Sequence, residues 1–248
     1  RRARPTRKQA LPRANVETCS AMTLPHARLA PSFFESNAQA HSSPLFAFGD
    51  IVDNAREAGA SALDISVDAG RVVVADDGNG MSEAGLRDAL SLAYTSKDPV
   101  ATGKHYGMGL TSSLPRLCEH ALILSKQDGG LRTAGLVSRT LSIRLQQQGL
   151  ADELVTPLCS WFDDGRLVDH SAGEMLPLDG GARRESLRHI LEETGLADER
   201  ALLSEFDHIG SRGTRIFMYG LTSDLELTDA KGADLLVCGL EEQNSCGV

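Results

Sequence analysis

Three oxygen-bearing side chains early in the chain have the spacing of one helix face. Asp50, Asn54 and Glu57 stand at positions i, i+4 and i+7, so a helix would align them opposite its apolar stripe. A carboxylate and an amide one turn apart can serve a magnesium ion and an attacking water. The same trio is also typical of an ordinary solvated helix face, so the pattern is a weak signal when it stands alone.

A second candidate group follows a predicted strand at residues 72–74. Residues 76–81 read DDGNGM, so a carboxylate is followed at once by a glycine turn. Gly78 and Gly80 allow a tight turn and a close approach of the backbone. The Asp76 carboxylate can accept a hydrogen bond from an exocyclic amine of the kind that adenine carries. A plain turn between two elements is the alternative interpretation.

A third group is a glycine-rich segment that leads into a predicted helix. Residues 103–109 read GKHYGMG, and a glycine-rich backbone at a helix N-terminus is an anion-binding arrangement. Lys97 and Lys104 add positive charge, whereas a flexible loop is the simpler interpretation. The spacing differs from that of a Rossmann motif, and the sequence contains no Walker A motif. We therefore expect any phosphate site to belong to neither of those folds.

The remaining pattern predicts the elements that must position these groups. Ser43 and Pro44 predict a helix start, and apolar residues continue at helical spacing to Gly59. Gly213-Thr214 opens the last predicted strand, where the threonine hydroxyl could support a nearby carboxylate. The predicted helices are 44–58, 82–92, one from about 109, 184–193 and 199–206, and the predicted strands are 63–67, 72–74, 121–125, 131–137, 141–145 and 214–219. Hairpins with interspersed helices predict an α+β sandwich, with one mixed sheet and helices on one face.

Composition limits the function classes. The 248 residues are 41% apolar and carry a net charge of −9, so the chain as a whole should not be attracted to nucleic acid. No apolar run approaches the ~20 residues of a membrane span. The five cysteines are scattered without a C-x-x-C pair, which argues against a zinc site or a disulfide framework and favours a reducing, intracellular compartment.

We expect three regions along the chain. Residues 1–30 are basic, and we interpret them as a disordered arm, with a nuclear-localisation patch and an organelle transit peptide as alternatives. Residues 31–222 hold the predicted domain, within which residues 93–106 are predicted to form a mobile lid. Residues 223–248 are predicted to be a truncated or frayed tail. This tail and the start at Arg1 predict that the chain is a fragment.

The four groups occur in one order, and the ordered set resembles the signature of the Bergerat (GHKL) ATP-binding fold. That signature is an acid-x-x-x-Asn helix, then D-x-G-x-G-M, then a glycine lid that enters a helix, then G-T on a strand. Within this superfamily, the chain resembles the MORC ATPase head over roughly residues 30–221. The matching stretches are residues 36–60, 89–117, 121–126 and 202–221.

The resemblance implies a two-layer Bergerat sandwich and a role for each residue of the set. Asp50 occupies the family's catalytic acid position, and Asn54 should coordinate Mg²⁺. Asp76 should hold the adenine amine with support from Thr214. The other implied ATP-binding residues are Gly78, Gly80 and Met81 around the base, and Lys97, Gly103, Lys104, Gly107, Met108, Gly109 and Leu110 around the phosphates.

Two departures from the family bear on the reaction. Asp50 replaces the catalytic glutamate, and Thr111 replaces the lysine that commonly follows G-x-G-[FL]. We therefore expect Mg-dependent ATP binding with slow hydrolysis. A non-hydrolysing nucleotide-binding module and a MutL-type repair ATPase are the alternatives.

The resemblance also implies a setting for the molecule. It implies an ATP-dependent homodimer that acts in chromatin compaction and gene silencing in the nucleus, with no membrane partner. Contact with chromatin or DNA would come from regions outside the chain or from the basic arm at residues 1–30. The transducer domain that follows the head in this family is expected to lie beyond the chain.

Overall fold

The computed structural model describes residues 33–39, 41–68, 71–91, 109–151, 154–168 and 180–223. The elements in chain order are α1 (Phe33–Ala38), α2 (Pro44–Glu57), β1 (Leu63–Asp68), β2 (Arg71–Asp76), α3 (Glu83–Leu90), α4 (Gly109–Leu117), β3 (Cys118–Lys126), β4 (Arg132–Ser138), α5 (Arg139–Gln147), β5 (Leu158–Trp161), α6 (Gly180–Thr194), α7 (Glu199–Glu205) and β6 (Gly213–Leu221). A 3-10 turn at Phe206–His208 joins α7 to the final loop. Among the described residues, no helix is long and apolar enough to cross a membrane.

The described strands form a single sheet in the order β1-β2-β6-β3-β4-β5. Each strand is antiparallel to its neighbours. The last strand, β6, lies between β2 and β3, so Thr214 is level with Asp76 on one side and with Ser125 on the other. This insertion brings the G-T dipeptide beside the D-x-G-x-G-M turn, which is more than 130 residues away in sequence.

Helices pack on both faces of the sheet. The face covered by α2, α3 and α4 is called the front face, and its core includes Ile51, Leu86, Leu114 and Ile216. The opposite, rear face is covered by α5, α6 and α7. Its core contains the chain's one tryptophan, Trp161, which is fully buried and edge-on to a phenylalanine ring at 6.0 Å.

The predicted α+β sandwich is confirmed, and two of its details differ. The described sheet is antiparallel where a mixed one was predicted, because hairpins join β1 to β2 and β3 to β4 and β6 runs antiparallel to both of its neighbours. Helices also cover the rear face, where only one covered face was predicted. The physical reason is the continuous apolar character of the central strands: residues 121–125 are buried without alternation, so both faces need cover.

The predicted strand at 141–145 is wrong, because this segment lies within helix α5. Leu141, Ile143 and Leu145 alternate with polar residues, a period-2 pattern that is also typical of a strand. Ser138 decides the outcome locally, since its side chain accepts a hydrogen bond from the Leu141 backbone N–H at 3.1 Å and caps the helix. Helical spacing then buries both Leu141 and Leu145 on the rear face.

Two predicted helix starts are confirmed in detail. Ser43 caps α2, with its hydroxyl accepting from the Leu45 N–H at 3.2 Å and Pro44 in the first turn. Ser82 caps α3 by accepting from Gly85 N–H at 3.1 Å. Helix α1 and strand β5 were not predicted, because each is short and lacks a clear hydrophobic period.

Candidate functional site

Asp76 is the last residue of β2, and its carboxylate is held by backbone groups. Its Oδ1 accepts from the Gly78 N–H at 2.9 Å, and the backbone N–H of Thr214 also donates to the carboxylate. Burial raises the pKa of Asp76 above its ordinary value, and the neighbouring charge of Asp77 adds to this, while the two N–H donors act in the opposite direction. Among the described residues, Asp76 forms no salt bridge. This carboxylate is therefore partly desolvated and retains acceptor capacity.

Glycines are required at the turn because a Cβ atom there would collide with neighbouring groups. A Cβ atom on Gly78 would lie 2.8 Å from the Asp76 carboxylate oxygen. Gly80 has a φ of +64°, and a Cβ there would lie 1.9 Å from the Lys126 carbonyl oxygen. A Cβ atom on Gly213 would lie 2.2 Å from the backbone carbonyl oxygen of Asp76. The predicted close approach of this turn therefore has a steric basis.

The second acid of the turn, Asp77, has a structural role. Its carboxylate accepts from the Ser61 hydroxyl and from the backbone N–H groups of Ser61 and Ala62, at 2.5, 2.7 and 2.8 Å. These hydrogen bonds, led by that of the Ser61 hydroxyl, lower the pKa of Asp77 to about 2. Asp77 thus ties the turn to the segment that precedes β1, and its acceptor sites are used within the protein.

Ser125 is a residue of this region that the sequence reasoning missed. Its fully buried hydroxyl accepts from the Met81 N–H at 2.7 Å and lies 3.2 Å from the Thr214 hydroxyl. Thr214 therefore reaches Asp76 through its backbone and Ser125 through its side chain. A polar residue that ends the apolar run at 121–124 was the available signal.

Asn54 lies on α2 where the first turn of α4 meets it. A Cβ atom on Gly109 would lie 3.4 Å from Asn54 Nδ2 and 3.6 Å from its Oδ1, which is ordinary van der Waals contact, so the Asn54 side chain packs directly beside Gly109. Nδ2 is buried and has no hydrogen-bond partner among the described residues. A buried amide with an unmade hydrogen bond is costly, which is typical of a group that meets a ligand. Leu110, the next residue of α4, is buried in the front core.

Asp50 lies one helical turn before Asn54, and its carboxylate has two side-chain partners. The Ser113 hydroxyl donates to Asp50 Oδ2 at 2.9 Å. His41 Nε2 lies 3.3 Å from the same oxygen. The Asp50 side chain is 41% exposed, so it remains accessible to water. Neither His41 nor Ser113 was singled out by sequence reasoning, and Glu57, the third member of the trio, is exposed at the end of α2.

Comparisons with known proteins show which family the chain resembles. Residues 41–152 match the family model described as histidine kinase-, DNA gyrase B-, and HSP90-like ATPase. The chain is 30% identical to Protein MICRORCHIDIA 2 of Arabidopsis thaliana over 80% of its own length, and 31% identical to Protein MICRORCHIDIA 7 over 88%. It is 27% identical to the MORC family CW-type zinc finger protein 3 of Mus musculus over 81%. The chain belongs to the MORC family of GHKL-type ATPase heads.

The match covers only part of each relative. The chain spans 32% of MICRORCHIDIA 2, 33% of MICRORCHIDIA 7 and 21% of the mouse protein. As a member of the GHKL class, this MORC-type head is an ATP-binding module. Several residues predicted to bind ATP lie outside the described residues: Lys97, Gly103, Lys104, Gly107 and Met108, together with the predicted lid at 93–106.

The donor set of this MORC-type head suits a magnesium ion that is carried in with phosphates. Among the described residues, no group of three or more His, Cys, Asp or Glu side chains could hold a metal. Mg²⁺ in nucleotide sites is commonly held by one or two protein oxygens together with substrate phosphates and water. Asn54 Oδ1 lies beside the N-terminus of α4 and could serve as one such protein oxygen. The buried Asn54 Nδ2, which has no hydrogen-bond partner among the described residues, is a donor and could bond a phosphate oxygen.

Proposed function

We propose that the chain binds Mg-ATP on the front face, with the base at the turn after β2 and the phosphates at the start of α4. The observation that carries the proposal is Asp76, a partly desolvated carboxylate with a raised pKa and no salt bridge among the described residues. An adenine amine would donate to it. Gly78, Gly80 and Met81 would line the base, and Thr214 would support the carboxylate through its backbone N–H.

The phosphate end rests on Asn54 and the first residues of α4. The N–H groups of Gly109 and Leu110 stand in the first turn of a nine-residue helix, where intrahelical acceptors are lacking. Asn54 would hold Mg²⁺ through its amide oxygen, and the ion would supply compensation of the phosphates' negative charge. Lys97, Gly103, Lys104, Gly107 and Met108 are proposed to complete this end.

Hydrolysis is proposed to be slow. Asp50 would act as the catalytic carboxylate. Asp50 Oδ2 is engaged by Ser113 and His41, so Oδ1 would orient or deprotonate the attacking water. An aspartate is one methylene shorter than a glutamate, which withdraws the carboxylate by on the order of 1 Å, and such a misplacement can cost ~10²-fold in rate. Thr111, where the family commonly has a lysine, is buried and offers no positive charge.

A binding experiment tests the first part of the proposal. Calorimetric titration of the chain with ATP should show binding with magnesium present and weaker binding after chelation with EDTA. GTP serves as the control nucleotide, because it presents a carbonyl where adenine presents the amine that Asp76 would accept. Equal affinity for ATP and GTP would refute the assigned role of Asp76.

Asp50 variants test the hydrolytic part. In the complete protein, Asp50→Ala should abolish turnover while ATP affinity stays near that of wild type, since the carboxylate faces water and not the base. Asp50→Glu should raise turnover if the pocket has room for the added methylene. Phosphate release measured under saturating ATP separates these outcomes. Wild-type turnover in Asp50→Ala would make Glu57 the next candidate.

A non-hydrolysing nucleotide switch is the second candidate function, and the short Asp50 side chain favours it. In that case ATP would be bound and exchanged without cleavage. Single-turnover measurement on the complete protein decides between the two, because a switch leaves the bound ATP intact over the lifetime of the complex.

The family setting suggests what the bound nucleotide does. We propose that ATP drives homodimerisation of the head, in a nuclear protein that acts in chromatin compaction or silencing. The names of the relatives place them in the MORC family and support this proposal by analogy. Light scattering after chromatography should show a larger mass with a non-hydrolysable ATP analogue than without it, and Asp76→Asn should remain at the smaller mass.

A further inference from the structure

The Asp50 carboxylate is contacted on one side by two side chains, one from α4 and one from the segment that precedes α2. Ser113 lies on α4 and is fully buried, and its hydroxyl donates to Asp50 Oδ2 at 2.9 Å. His41 lies just before α2, and its Nε2 stands 3.3 Å from the same oxygen. Nε2 is also 3.4 Å from Ser113 Oγ, so the three side chains form one cluster.

His41 is itself held in place. Arg116 Nε donates to the His41 carbonyl oxygen at 3.2 Å, and the Ser112 hydroxyl lies 3.1 Å from Nε2. The His41 side chain is only 13% exposed, whereas Asp50 is 41% exposed. The His41 imidazole therefore packs against the buried side of the Asp50 carboxylate, and the other side of the carboxylate is exposed to solvent.

We propose that His41 and Ser113 are positioning residues that hold the Asp50 carboxylate in one orientation. This inference rests on the proposed function and deepens it. Both partners engage Oδ2, and no hydrogen bond to Oδ1 occurs among the described residues, so the carboxylate presents Oδ1 outward. A half-exposed pair of this kind contributes little stability by itself. Its geometric effect matters more, because a short side chain without anchors would rotate away from the attacking water.

The proposal requires a proton on His41 Nε2, since only then can the ring donate to the carboxylate. Nitrogen-15 NMR of the full chain, labelled in histidine, reports which ring nitrogen carries the proton. We expect a protonated Nε2 in wild type, and a displaced His41 ring resonance in Asp50→Asn. Asp53→Asn is the matched control, because Asp53 lies on the same helix but is exposed and paired with Arg56. An unprotonated Nε2, or equal displacement in both variants, would overturn the proposal.

Turnover in the complete protein provides the second measurement. Ser113→Ala and His41→Ala should each lower kcat by about tenfold to a hundredfold while the ATP dissociation constant changes less than about twofold. His41→Gln, which keeps an N–H donor, should recover part of the loss. Ser142→Ala is the matched control, since Ser142 is an equally buried serine on the rear-face helix α5. Unchanged kcat in Ser113→Ala and His41→Ala would refute the positioning role.

The two measurements separate this inference from the proposed function. Absence of ATP binding by wild type would refute the proposed function, and the NMR comparison would still decide the contact. If wild type binds ATP without cleaving it, the NMR comparison again decides whether the carboxylate is held. Binding and turnover that survive in every variant would refute only the positioning role.

Discussion

Two carboxylates on either side of one short turn have opposite surroundings. Asp76, before the turn, is held by backbone N–H donors alone, and burial raises its pKa. Glu83, after the turn, binds Arg183 through both oxygens at 2.7 and 2.8 Å and accepts from Ser160 at 2.7 Å. Burial acts to raise the pKa of Glu83, but the hydrogen bonds from Arg183 and Ser160 with the charges of Arg183 and Arg87 lower it below its ordinary value of 4.5.

The difference separates a structural acid from the acid that we propose binds a ligand. Glu83 begins α3 on the front face and Arg183 belongs to α6 on the rear face, so their pairing joins the two helical layers around the β5 edge of the sheet. The acceptor sites of Glu83 are occupied within the protein. Asp76 is partly desolvated without a charged partner among the described residues, and a ligand that donates a hydrogen bond could offset this cost, which is typical of functional carboxylates.

The largest effect is expected from breaking the Glu83 pair. Arg183→Met should lower the free energy of unfolding by about 3–5 kcal/mol, because it leaves a buried carboxylate without its bidentate partner. Urea denaturation measures the change. Arg188→Met is the matched control on the same helix, where an exposed arginine bridges Glu185 and Glu192, and its effect should stay below about 1 kcal/mol.

The double variant sharpens this test. Adding Glu83→Gln to Arg183→Met should recover part of the lost stability, since the buried negative charge that has lost its bidentate partner is then removed. Equal losses in Arg183→Met and Arg188→Met would show that Glu83 is no more structural than a surface acid, and the comparison with Asp76 would fail.

The next effect concerns nucleotide affinity at Asp76. Asp76→Asn should weaken ATP binding by roughly 1.5–3 kcal/mol, the worth of a hydrogen bond to a charged group, which is about tenfold to a hundredfold in the dissociation constant. Calorimetric titration measures it. Asp64→Asn, an exposed carboxylate on the neighbouring strand β1, should bind ATP as wild type does. Undiminished affinity in Asp76→Asn would remove this carboxylate from the site.

The smallest effect is a difference in pH dependence. The folded-state pKa of Asp76 is raised above 3.8, so ionisation of Asp76 costs stability as pH rises through that raised value. Asp76→Asn should therefore be more stable than wild type at neutral pH, with the advantage disappearing as pH falls through the raised pKa. The folded-state pKa of Glu83 is lowered, so its contribution is present above 4.5 and is lost as pH falls through the lower value.

Denaturation curves at several pH values compare the two acids directly. Glu83→Gln should be less stable than wild type at neutral pH, and its deficit should shrink in acid. Asp76→Asn should show the reverse sign over the same range. If both variants shift stability in the same direction at neutral pH, the electrostatic contrast between the two acids is refuted.

Local sequence determined much of the fold and the turn after β2 in the candidate site. The caps at Ser43 and Ser82, the hairpins and the strand that begins at Gly213 follow from short-range hydrogen bonding and period-2 or period-3.6 patterning. Residues close together in sequence decide these features, so the sequence alone predicts them. The segment at 141–145 was misassigned because leucine and isoleucine spacing fits both periods over so short a run, and Ser138 capping decided for the helix.

Sequence by itself determined the ordered motifs and the glycines at the turn, since each depends on backbone geometry within a few residues. Only the tertiary structure decided which side chains support them. Ser125 reaches the turn because β6 is inserted beside β3, and Arg183 meets Glu83 across 100 positions of sequence. His41 and Ser113 meet Asp50 because α2 packs against α4. Contacts of this range arise from packing of the whole front and rear cores, which no local pattern encodes.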